Sequence, residues 1–180
     1  MKTKIAVLSL TGMIVLQGCS TMSSPSEIEQ LIAQTKLMDA SGRVVGDAQI
    51  VRSSSTLYLN ASVTGQAIGE HGIHFHAVGK CDAPGFTTAG GHLNPMAHQH
   101  GSMNPAGPHL GDLPNIVVAA GGSGLLKAPL SGAPNDLIAK IFDEDGTAIV
   151  LHAGPDDYKT DPSGNSGGRV ACGVLEKSSN

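Results

Sequence analysis

The chain reads as an all-β protein, a sandwich or barrel of short strands, and three observations carry that reading. Of its 180 residues, 24 are Gly and 10 are Pro, a load that breaks helices and suits tight turns. Polar and apolar residues alternate in several short runs bounded by Gly, Asp or Ser. No stretch carries a convincing apolar stripe of helical period. A hydrophobic content of 40% supports a core of ordinary size in one domain. The same composition excludes other classes. Charged residues at 14% are too few for a coiled coil, and aromatics at 3% offer no stacking platform for nucleic acid. A formal charge of −4 disfavours any polyanionic partner.

The N-terminus reads as a targeting segment. Lys2 and Lys4 precede Ile5–Leu16, an apolar run too short to span a bilayer but suited to a signal-peptide core. The junction Leu16-Gln17-Gly18-Cys19 resembles the bacterial lipobox, which implies cleavage before Cys19 and a lipid on it. The other reading is an ordinary secreted protein cut elsewhere. The expected organisation is a signal peptide at 1–18, a lipidated Cys19 opening a Ser-rich tether at 19–33, and a domain at 34–180. Ile28–Leu31 could be a fragment of helix. Loss of residues 1–18 removes two lysines and no acid, so the remainder carries a formal charge of −6. The protein is expected to be exported and anchored to a bacterial membrane, facing the periplasm or the cell surface. Of its three cysteines, Cys81 and Cys172 then remain. Outside the cytoplasm such a pair is most simply a disulfide, the alternative being two free buried thiols. The bridge would close a loop of about 90 residues, an entropic gain of at most about 4–5 kcal/mol.

Strands are expected in order at Gln34–Ala40 and Val44–Arg52, which flank a Ser41-Gly42 turn, and at Thr56–Thr64, which alternates. Gly72–Val78 alternates again, and Ile116–Ala120 is an apolar run stopped by Gly121-Gly122. Ala148–Leu151 and Val170–Leu175 complete the set. Asp136–Phe142 fits a helix or a strand. Two long segments, 79–114 and 153–168, are Gly/Pro-rich and lack periodicity. Loops of that length inside a compact domain are usually functional or disordered, and the histidines of the first argue for function.

Eight histidines is an excess in a chain of this size. His74-Phe75-His76 lies in a strand pattern, where residues i and i+2 share a face and both imidazoles can converge on one metal. His92, His100, His109 and Asp112 offer three imidazoles and a carboxylate, a plausible tetrahedral zinc set. His152 ends an apolar run just before the second long segment.

Taken in order, these segments resemble the bacterial copper/zinc superoxide dismutases. The residues that carry the resemblance are His71-Gly72-Ile73-His74-Phe75-His76, Gly90-Gly91-His92-Leu93-Asn94-Pro95, His100-Gly101 and His109-Leu110-Gly111-Asp112-Leu113-Pro114. His152-Ala153-Gly154-Pro155-Asp156-Asp157-Tyr158 and Gly167-Gly168-Arg169-Val170-Ala171-Cys172-Gly173-Val174 follow. The match spans about Lys36 to Glu176. It implies a flattened Greek-key β-barrel of about eight antiparallel strands with two long functional loops. It also implies one copper and one zinc per chain. Copper would be held by His74, His76, His92 and His152, and zinc by His92, His100, His109 and Asp112. His92 would bridge the two, since a pair of dications can remove the second imidazole proton. Asp156 would accept hydrogen bonds from His74 and His100. Arg169 would draw in the anionic substrate, and Cys81–Cys172 would pin the first loop near it. The catalytic residues would be His92 and Arg169. His71 reads as framework, His98 as a surface loop residue, and Met96 and Met103 as packing residues, although thioethers can also hold copper(I).

The expected function is dismutation of superoxide to dioxygen and hydrogen peroxide outside the cytoplasm. The expected partners are superoxide and, through Cys19, a membrane, with no nucleic acid; the chain would be a monomer or a homodimer. The alternatives are a non-enzymatic copper-binding or copper-delivery lipoprotein on the same scaffold, and a zinc-only structural relative. Both predict a damaged copper set, whereas His74, His76, His92, His152 and Arg169 are all present.

Overall fold

The computed structural model describes residues 29–179; the expected signal peptide, Cys19 and the part of the expected tether up to residue 28 lie outside them. Three long strands come first: β1 (Gln30–Asp39), β2 (Val44–Ser53) and β3 (Thr56–Val63). Short strands follow: β4 (Gly69–His71), β5 (Ile73–His76), β6 (Ile116–Val118) and β7 (Gly124–Pro129). The one α-helix among the described residues, α1 (Pro134–Ile141), precedes β8 (Ala148–His152), β9 (Arg169–Val174) and β10 (Glu176–Lys177).

β3 shows the physics most plainly. Leu57, Leu59, Ala61 and Val63 point inward while Thr56, Tyr58, Asn60 and Ser62 face outward, the period-2 alternation of a strand with one dry face. β1 starts at Gln30, so residues 30–33, assigned to the tether on sequence, belong to the barrel. Leu31, placed in a helix fragment on sequence, pairs with Val51. Sheet pairing overrides local propensity there. The ambiguous segment 136–142 is mostly helix. Pro134 starts α1, and Leu137 and Ile141 bury one stripe in the core.

Every pairing between strands is antiparallel, in the order β4-β6-β7-β3-β2-β1-β9-β8-β5, with β10 added beside β1. The two ends of this path, β4 and β5, are consecutive in sequence and separated only by Gly72. One strand, broken at that residue, thus pairs with β6 on one side and β8 on the other. The sheet curls into a nearly closed Greek-key barrel that hides its edges. About eight strands are expected on sequence; among the described residues there are ten, the excess being short pieces such as β4 and β10.

Inside the barrel, Leu37, Ile50, Leu57, Leu59, Ile73, Phe75, Ile149 and Leu151 form a dry core. The two aperiodic segments are the connections β5–β6 and β8–β9. They lie on the barrel wall as an outer layer, and the site forms between that layer and β5. The Cys81–Cys172 disulfide joins the first connection to β9, with Cα atoms 5.6 Å apart and a sequence separation of 91.

Candidate metal centre

β5 is buried on both faces. Ile73 and Phe75 point into the core; His74 and His76, displaced by one residue each, point outward under the loops. One edge of β5 pairs with β8, and the other is taken by the first loop. Leu93 N–H donates to the Phe75 carbonyl at 2.8 Å, and Phe75 N–H to the Gly111 carbonyl at 3.0 Å. These bonds set His92 opposite His76 and Asp112 opposite His74. β8 ends on His152, in register with Arg169 at the start of β9.

Two constellations result. The ligand atoms of His74, His76, His92 and His152 lie within 4.8 Å of one another, and so do those of His92, His100, His109 and Asp112. His92 belongs to both. Among the copper candidates, one nitrogen of each outer imidazole is already committed. His76 Nδ1–H donates to the Gly90 carbonyl at 3.0 Å, His152 Nδ1–H to the Gly167 carbonyl at 3.2 Å, and His74 Nε2–H to Asp156 Oδ2 at 2.7 Å. His74 Nδ1, His76 Nε2, His92 Nε2 and His152 Nε2 are left buried without a hydrogen-bond partner. Unpaired buried polar atoms are costly, so four together on neighbouring rings fit a metal ion. Around Asp112 the pattern differs. Its Oδ2 accepts backbone N–H groups of Gly101 at 2.8 Å and His109 at 3.0 Å. Its Oδ1 then lies 2.9, 3.0 and 3.2 Å from Nδ1 of His92, His100 and His109. Three imidazoles and one carboxylate oxygen about a single point fit zinc.

Burial pushes three imidazoles down, His76 to about 2, His152 to about 3 and His92 to about 4, the last against the pull of Asp112. They are neutral at physiological pH and present lone pairs. For His100, burial works in the same direction but is outweighed by hydrogen bonds to Asp112 and Asp156, which raise it to about 9. Burial would raise Asp112 and Asp156, but their histidine partners hold both well below the usual carboxylate range.

Asp156 ties the constellations together: its Oδ2 accepts from His74, and its Oδ1 lies 2.9 Å from His100 Nε2. Arg169 donates through Nη1 to the Phe86 carbonyl and through Nη2 to the Gly90 carbonyl, both at 2.6 Å. It lines the same opening, about 460 Å³, as His76, His92 and His152. His71 has both nitrogens against carbonyl oxygens, of His152 at 2.8 Å and Ala67 at 2.9 Å, so it is framework. Met96 and Met103 do not pack as expected; they are 50% and 59% exposed. Cys19 lies outside the described residues.

Two supporting residues carry no signal in the sequence. Asn115, buried, clamps the main chain of Asp156: its Oδ1 accepts the Asp156 N–H at 2.9 Å and its Nδ2 donates to the Asp156 carbonyl at 3.0 Å. Gly164, at φ +64°, passes so close to the Asp156 carboxylate and His100 Nε2 that a Cβ would collide with both. Asn115 meets Asp156, and Gly164 meets His100, across long stretches of sequence, which spacing cannot report.

Residues 44–175 match the family described as copper/zinc superoxide dismutase (SODC). The chain is 38% identical over 164 residues to superoxide dismutase [Cu-Zn] 2 of Aquifex aeolicus, covering 89% of this chain and 96% of that protein. It is 40% identical over 187 residues to a superoxide dismutase-like protein of Bacillus subtilis, covering 96% of this chain and 95% of the other. The crystal structure of a SOD-like protein from Bacillus subtilis superposes with a TM-score of 0.75 at 36% identity, covering 82% of this chain and 100% of that one. With the barrel, the paired histidine constellations and the disulfide already in place, these matches show that the chain belongs to the copper/zinc superoxide dismutase family.

Proposed function

We propose that this protein dismutates superoxide outside the cytoplasm, with His74, His76, His92 and His152 holding copper, and His92, His100, His109 and Asp112 holding zinc. The observation that carries the assignment is the set of four buried imidazole nitrogens with no partner, next to a carboxylate oxygen surrounded by three Nδ1 atoms. When bound, copper supplies the one-electron acceptor and donor that turns two superoxide ions and two protons into dioxygen and hydrogen peroxide, while zinc supplies fixed charge. The chain does the rest. Arg169 brings a permanent positive charge to the opening and orients the anion. His92 Nε2 takes up a proton in one half of the cycle and returns it to the reduced substrate in the other. Its Nδ1 side, held at Asp112, keeps the ring in place. Asp156 fixes the rings of His74 and His100.

Metal analysis beside a dismutase assay tests this. The wild type should bind one copper and one zinc per chain. His152→Ala should keep zinc and lose dismutation; a wild-type rate in that variant would remove the copper assignment. The copper-delivery reading is not favoured, because the whole constellation including Arg169 is present.

The domain plan follows the same reading: a signal peptide at 1–18, a lipid on Cys19, and a short tether leading to the barrel. The charged start, short apolar core and Gly18-Cys19 junction support it, and the disulfide fits an oxidising compartment. Cys19→Ser should move the protein out of the membrane fraction. A wild-type mature chain that begins elsewhere and partitions into water would refute the anchor.

A further inference from the structure

Met96 and His98 stand in the first loop, unused by the chemistry above. Burying a Met side chain stabilises a fold, yet Met96 is left half exposed. His98 is also exposed but is held in place. Its N–H donates to Asn94 Oδ1 at 3.0 Å, and its carbonyl accepts from Asn94 Nδ2 at 2.8 Å. Its Nδ1–H donates to the Pro108 carbonyl at 3.0 Å, which leaves Nε2 as the nitrogen with a lone pair. The carbonyls of Gly90 and Gly167 free Nε2 of His76 and His152 in the same way. His98 also lines two cavities. One is the opening above His76, His92 and His152; the other, about 590 Å³, is a groove it shares with Met96 and with the apolar walls of Leu110 and Leu113. One imidazole therefore joins a thioether-bearing groove to the mouth of the metal pocket. The inner rings are almost wholly buried, so copper must reach them through that opening.

We propose that Met96 and His98 form a copper(I)-accepting site at this mouth, from which the ion passes by ligand exchange to the inner imidazoles. The proposal rests on the copper assignment made above. A thioether beside an imidazole is a soft donor pair that favours copper(I), and apolar walls limit competition from water. Transfer replaces one neutral donor by another. The oxidation state does not change, and no proton has to leave, because Nε2 of His76 and His152 is already unprotonated.

The test uses zinc-loaded, copper-free protein titrated anaerobically with the copper(I)–bicinchoninate complex. A His76→Ala/His152→Ala chain lacks the inner set. It should still bind one copper(I), with a sulfur neighbour in X-ray absorption. Adding Met96→Leu and His98→Gln should weaken this binding at least tenfold and remove the sulfur. In the chain with the inner set intact, Met96→Leu/His98→Gln should slow copper uptake at least fivefold while the final content still reaches one copper per chain. No copper(I) in the blocked chain, copper(I) without sulfur, or an uptake rate unchanged by Met96→Leu/His98→Gln would each overturn the proposal. Failure of the underlying copper assignment reads differently: the His76→Ala/His152→Ala chain, loaded with copper, would then still dismutate superoxide.

Discussion

Arg169 is fastened by two carbonyls and not by a carboxylate, so its charge is not neutralised by an acid in those bonds. The Gly90 carbonyl that holds it also holds His76, so the cation and an imidazole of the proposed copper set share one anchor. Arg169→Glu should lower the dismutation rate at least roughly tenfold, about 1.4 kcal/mol, with both metals retained. Arg169→Lys should fall between, since one ammonium cannot reproduce the planar fork. The wild-type rate should drop as salt rises, because the attraction is screened over about 8–10 Å near physiological ionic strength. An unchanged rate in metal-replete Arg169→Glu would remove this role. Asn115 acts one step further out. Asn115→Ala should leave two buried groups of the Asp156 peptide unpaired, at a cost of about 1–3 kcal/mol. Zinc affinity should fall roughly tenfold or more, because Asp156 no longer fixes His100. Zinc competition with a chelator checks it, and a wild-type affinity would show that Asp156 is held without the clamp. Arg169 is legible in sequence through the motif around it. Asn115 is not, because its role exists only once residues 41 positions apart meet.

Among the elements, strands were legible where side-chain period and burial agree. β3 satisfies both, and β5 reveals its two histidines through the same period. β7 hides because it inverts the pattern: Leu125 is 80% exposed while Gly124 and Ala128 face inward. β4 is too short to show any period. The loops take their shape from cross-links instead of periodicity, and the disulfide is the strongest of them. Reducing it, or replacing Cys81 and Cys172 by Ser, should cost about 2–5 kcal/mol of stability, read from urea unfolding with and without reductant. Because the bridge fastens the first loop to β9, which begins with Arg169, the same change should slow dismutation. Equal unfolding midpoints with and without the bridge would contradict this.

At the scale of the whole molecule, folding buries a block of imidazoles, and stability must then depend on pH. In metal-free protein, His76, His92 and His152 titrate at about 2, 4 and 3 when folded and near 6.5 when unfolded. Below about pH 6.5 the unfolded chain binds protons that the folded chain refuses, so stability falls as the pH drops toward 4. His100, raised to about 9, acts oppositely: its contribution is complete below about 6.5 and fades as the pH rises through its folded value. Metal-free stability should therefore peak near neutral pH and fall steeply on the acid side. Bound metals should deepen the acid dependence, since protons compete for the same nitrogens. Thermal melts of metal-free and metal-loaded protein across this range check the prediction; a flat acid limb would contradict it.

By itself the sequence determined the class of fold, the kinds of donor atom and the pairing partners of the disulfide. These rest on local period, residue chemistry and cysteine count, all of which are written along the chain. Only the tertiary structure decided which nitrogen of each imidazole stays free, that Asp156 spans both constellations, that β4 and β5 are one strand broken at Gly72, and that His98 lines both the metal opening and the groove it shares with Met96. Each of these depends on hydrogen bonds or packing between segments far apart in sequence, and such contacts arise only when the loops close over the barrel.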